Sequence, residues 1–126
     1  MAERRVSPDG RFEVRVDTWE VRNSQWVDTP RLVDTSADVD ILTFADERWS
    51  LDAAVWLDEA RVELRLRKFP GGHVPAEVTV TVDCLRGVGR LDDGAEVALG
   101  ALEAAMEARL DWSARRRLEE GLRDED

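Results

Sequence analysis

The chain has 126 residues and a formal net charge of −10, with 43% apolar and 37% charged residues. That length and apolar fraction suit one folded domain, 1–126, with its own core, and exclude a disordered chain. The single cysteine excludes an intrachain disulfide, and the acidic balance argues against nucleic-acid binding, which runs on basic surface.

The opening MAERRVSPDG is polar and no stretch approaches bilayer-spanning length, so a cytoplasmic protein without membrane contact is expected. SPDGRF at 7–12 resembles the way strands open in β-propeller blades, although one blade cannot close a propeller. Phe12, Val14 and Val16 alternate with Arg11, Glu13 and Arg15, the period of a half-buried strand. Trp19 and Val21 continue with the opposite parity, which predicts a bend or bulge near Asp17–Thr18. RNSQ is a turn. Pro30 inside WVDTPRLVDT predicts an edge or broken strand, because proline donates no ladder hydrogen bond. Turns at TSAD, ADER and Asp58–Glu59 then separate VDILTF, WSLDAAVWL and RVELRLRK. Pro70–Gly71 suits the centre of a type II turn, and EVTVTVDC sets Val78, Val80, Val82 and Cys84 on one face.

Pairing of 61–68 with 77–84 can be worked out from parity alone, since like must face like. Leu66 falls opposite Val78, Leu64 opposite Val80 and Val62 opposite Val82. The same register sets Arg67 against Glu77 and Arg61 against Asp83, so a basic stripe in an acidic protein reads as cross-strand pairing. Arg65 alone lacks an acid opposite it. Val55, Trp56 and Leu57 cannot all face one side. With Val55 and Leu57 inward, Trp56 shares the outer face with Arg65 as a cation–π site; a one-residue slip buries it instead.

From about residue 95 the chain is rich in Ala, Leu, Glu and Arg, which predicts a long helix over 95–122 capped by Asp92 or Asp93, with a frayed tail at 123–126. Leu99, Leu102, Met106 and Leu110 fall on one side of it, and Ala101, Ala105, Ala108 and Trp112 nearly opposite, where a second copy could pack to form a homodimer. Strands followed by a helix give an α+β fold: an antiparallel meander of about six to eight strands over 7–84, a curved sheet or half-barrel under the terminal helix.

Candidate chemistry is sparse. His73 and Cys84 stand at opposite ends of a strand, too far apart for a nucleophilic pair, and one histidine with one cysteine builds no zinc site. Cys84 reads as an inert core thiol. Nine acids against Arg31 and Arg48 occupy 28–59; Asp38, Asp40, Asp46 and Glu47 read as an acidic docking face for a basic protein, with Trp112 and the Trp56–Arg65 pair as further interaction candidates. Trp19, Trp26, Trp49 and Trp56 could instead line a cup for a carbohydrate or other small ligand.

The run WSLDAAVWLDEARVELRLRKFPGGH, with TPRLVDT upstream, resembles small β-rich bacterial cytosolic proteins that carry no assigned function; the resemblance covers roughly residues 7–84 and imports no activity. The expectation is a non-enzymatic acidic interaction domain without cofactor or metal, an adaptor or an immunity-type inhibitor of a basic partner. The alternative is the tryptophan-lined cup.

Overall fold

A computed structural model describes residues 5–21 and 24–124. Arg22 and Asn23 of the RNSQ turn and Glu125–Asp126 of the tail lie outside the described residues. Strands β1 (Phe12–Glu20), β2 (Trp26–Asp34) and β3 (Val39–Leu42) form one antiparallel sheet in that order. Strands β4 (Trp49–Trp56), β5 (Arg61–Lys68), β6 (Val78–Asp83), β7 (Val88–Leu91) and β8 (Glu96–Ala98) form a second, followed in the chain by α1 (Leu99–Glu107) and α2 (Ser113–Asp124). The meander is as expected. The long helix is not.

Both sheets share one core, in which Val14, Leu32, Leu42 and Phe44 meet Trp49, Leu64, Val80 and Leu91, and Leu102 and Met106 of α1 close the assembly. No helix among the described residues is long and apolar enough to cross a membrane.

Three local expectations fail for identifiable reasons. First, β1 and β2 pair without interruption from Phe12↔Asp34 to Glu20↔Trp26, so there is no bulge at Asp17–Thr18. Trp19 keeps its opposite parity because it belongs to the other face, where its Nε1–H donates to Thr29 Oγ1 (2.9 Å) beside buried Val27. Second, Pro30 lies in the middle strand of its sheet, opposite Val16. It is tolerated because β3 pairs with β2 only over Leu32–Asp34, leaving β2 one ladder neighbour at residue 30. Third, the turn after β5 closes one residue early: Gly71 N–H donates to the Lys68 carbonyl (2.8 Å), with Phe69 and cis Pro70 between them.

The predicted helix over 95–122 resolves into a strand and two helices. Gly94, at φ +89°, turns the chain after β7, and Asp93 accepts the Ala95 N–H (2.9 Å) there instead of capping a helix. Residues 96–98 then pair with Val88–Arg90. Gly89 on β7 makes room for α1, because a Cβ at that position would stand 2.9 Å from the Leu102 side chain. α1 stops at Glu107. Asp111 and Val74 exchange two backbone hydrogen bonds of 2.8 Å, and the Asp111 carboxylate accepts the Ser113 N–H (2.8 Å) and hydroxyl (2.6 Å), opening α2 as a separate helix. Trp112 therefore sits in the break between helices, half-buried against His73 with ring centroids 4.9 Å apart, and not on an open helix face.

Candidate functional site

The β5–β6 register is the one parity demands: Val62↔Val82, Leu64↔Val80 and Leu66↔Val78, with Arg61 opposite Asp83. The ion pairs run elsewhere. The ladder ends at Leu66↔Val78, so Arg67 does not pair with Glu77; its Nε lies 3.1 Å from Asp52 on β4. Arg61 turns to Asp58 in the preceding turn (2.7 Å) and Arg65 to Glu63 on its own strand (3.9 Å).

Asp52 also decides Trp56. The β4–β5 register shifts between Leu51 and Ala53, a bulge that places Trp49 and Leu51 inward before Asp52 and Ala54 and Trp56 inward after it. Val55 and Leu57 are consequently exposed. Trp56 packs on the core and stacks on Phe12, with centroids 6.4 Å apart and planes at 17°, so the Trp56–Arg65 site does not form. Arg65 faces Ala53 and Thr79 on the outside of the sheet.

The acidic quartet is split by structural work. Lys68 follows Val62, Leu64 and Leu66 onto the inner face and is 6% exposed. Its ammonium binds Asp46 (2.8 Å) and Glu107 of α1 and stands 5.7 Å from the Trp49 ring centroid. Asp46 also takes Arg48 (2.8 Å), and the Glu103 carboxylate accepts the Ala45 and Asp46 N–H groups (2.7 and 2.9 Å). This clamp ties the β3–β4 loop to α1. The Arg48 guanidinium first, and then Lys68, holds the Asp46 carboxyl well below the usual carboxylate range. Burial alone would lower Lys68, but Asp46 and Glu107 outweigh it and raise its pKa. Asp40 pairs with Arg31 (3.2 Å); Asp38, in the β2–β3 turn at φ +53°, and Glu47 are exposed.

His73 is a fastening. It is 3% exposed, its Nε2 accepts the Lys68 N–H (3.1 Å) and its Nδ1–H donates to the Pro75 carbonyl (2.6 Å). Cys84 packs against the core, where burial pushes its thiol up to about 12 and keeps it protonated. Among the described residues no group of three or more His, Cys, Asp or Glu side chains could hold a metal ion.

An open cleft of about 290 Å³ lies where the start of β2 meets the turn after β5. Trp26, 61% exposed, stands in its wall with Gln25, facing Phe69, Pro70 and Arg67. Ser50, which is buried, belongs to its lining, and its Oγ accepts the Asp28 N–H (3.0 Å). Nothing in the linear sequence marks this cleft except Trp26 itself, because its two walls are about forty residues apart in the chain. No family model, curated protein or solved structure matches the chain. The cleft must therefore be read from its own chemistry.

Beside it, Asp52 is pushed up to about 6, by burial first and then by a hydrogen bond with Glu77, while Arg67 pulls the other way. A carboxyl raised on folding holds a proton that the unfolded chain, at about 4, has released. Its effect is therefore to lower stability as pH rises from about 4 to about 6, with no further change above. Asp52→Asn is expected to flatten this slope, by less than about 1 kcal/mol given that solvent screens the group. Urea unfolding at about pH 4 and about pH 8 checks it; parallel losses in parent and variant would contradict it.

Proposed function

We propose that this chain is a non-catalytic, acidic protein-interaction domain, an adaptor or an immunity-type inhibitor, whose partner docks at the Trp26 cleft. The observation that carries this reading is Trp26, which keeps 61% of its surface in solvent beside an open cleft containing Arg67. Tryptophan and arginine are the side chains most enriched where interfaces concentrate their energy. An indole left mostly outside a core that buries Trp49 completely keeps most of its apolar area unused by the fold, and a partner gives that area a role. The tryptophan-lined cup finds less support: Trp49 fills the core, Trp56 stacks on Phe12, and Trp19 and Trp26 lie on opposite faces of their sheet.

Selection of a random peptide library on the folded protein tests this. The selected peptides should lose at least about tenfold in affinity, about 1.4 kcal/mol, on the Trp26→Ala variant. Peptides that bind parent and variant alike would place the interface elsewhere.

A further inference from the structure

The chain is acidic as a whole, but the Trp26 cleft is not. Among the described residues its lining holds two cations, Arg67 and Lys68, and no carboxylate. A third cation stands against the same turn, where Arg115 of α2 brings Nη1 to 3.4 Å from the Gly71 carbonyl. Lys68 is buried and spent on Asp46 and Glu107. Arg67 differs: its side chain is 62% exposed, and Asp52 meets it from the Nε side at 3.1 Å. A guanidinium is a planar fork, so a carboxylate at Nε leaves the end-on pair of terminal nitrogens to a second one. The surface beside Arg67 is apolar, with Trp26 in one wall and Phe69 and Pro70 facing it.

We infer that the cleft receives an aspartate or glutamate side chain of the partner, whose carboxylate takes the terminal nitrogens of Arg67 while an adjoining apolar side chain covers Trp26 and Phe69. This rests on the docking function proposed above and supplies the chemistry of the partner's docking segment. Charge complementarity carries it. The net charge of −10 acts at long range, where physiological salt screens it beyond about 8 Å, whereas the partner's carboxylate meets the cleft's own cations at contact. Covering Trp26 also removes water from the Arg67 pair, which strengthens its attraction. Asp52 is a competitor, because the part of the guanidinium it holds is withheld from the partner. Removing Asp52 should therefore tighten binding and removing Arg67 weaken it, and a loss of structure cannot produce both signs.

The test uses the peptides selected on the folded protein, remade with acetylated and amidated ends so that side chains carry their only charges, and calorimetry at physiological salt. The peptides should carry aspartate or glutamate beside an apolar residue. Exchanging that acid for its amide should weaken binding to the parent about fivefold or more, and on Arg67→Gln this difference should vanish. Asp52→Asn, which leaves the guanidinium in place, should bind the acidic peptide about threefold tighter. Trp26-dependent peptides that tolerate the amide exchange, or that carry arginine and lysine instead, would overturn this inference and leave the docking function standing. Equal weakening of acid and amide peptides on Arg67→Gln, with no gain on Asp52→Asn, would overturn it as well, since Arg67 would then act through the fold. Binding lost on amidation of the ends would overturn it by assigning the cleft to a chain terminus. A selection that yields only peptides indifferent to Trp26→Ala would end the docking function and this inference together.

Discussion

Trp49→Ala is expected to cost about 3–5 kcal/mol, enough to leave the protein largely unfolded at ordinary temperature. The ring has no exposed surface, lies 6.2 Å from Phe44 and sits against the Lys68 ammonium, at the point where the β3–β4 loop brings the first sheet onto the second. Its Nε1–H has no hydrogen-bond partner among the described residues, so the indole is kept for its area and shape. Trp49→Phe should therefore lose less, about 1–2 kcal/mol, because it removes volume and also an unsatisfied donor. Urea unfolding of the two variants checks the order; a phenylalanine variant as weak as the alanine one would contradict it.

Lys68→Met is expected to cost about 2 kcal/mol near neutral pH. It keeps the aliphatic bulk on the inner face but strands Asp46 and Glu107 beside each other. Removing one partner of a buried pair costs about 3–5 kcal/mol; here the carboxylates retain 27% and 35% exposure, and Arg48 still serves Asp46, so solvent and that arginine soften the loss. The pH dependence follows from the direction of each shift. Asp46 is depressed in the fold, so its contribution is present above about pH 4, where an unfolded carboxyl ionises, and is lost as pH falls below that. Lys68 is raised, so its contribution is intact below about pH 10 and is lost only above. The gap between parent and variant should thus be widest in the neutral range and should narrow only in strong acid, where the folded Asp46 carboxyl itself takes a proton. A constant gap across that range would mean that the clamp acts through packing alone.

Legibility followed the range of the determining interaction. The β5–β6 register was readable because apolar parity, Val62, Leu64 and Leu66 against Val82, Val80 and Val78, admits one alignment. Lys68 shares that parity, and its inward position could have been read from the same alternation; its acidic partners, on a loop and a helix far along the chain, could not. The bulge at Asp52 left no mark, because the contiguous Ala53–Leu57 run fits either face and only the pairing of Ala53 with Arg65 settles it. β7 and β8 were hidden by their brevity and by Gly89, whose missing side chain admits Leu102 and whose poor strand propensity points the other way. GAEVALGALEAAMEARL favours helix throughout, and only tertiary pairing converts its start to a strand. The break at Asp111 likewise depends on Val74, remote in sequence. The cleft was the least readable feature, since Trp26 acquires its surroundings only when the turn after β5 arrives beside it.

The claim that Trp26 is the docking side chain is tested most directly by the five indole N–H signals in a proton–nitrogen correlation spectrum, recorded while a peptide selected from the random library is added at physiological salt. The Trp26 signal should move first and furthest, while Trp49, sealed in the core, and Trp112, packed on His73, stay in place. A titration in which Trp26 stays still while other residues shift would contradict it.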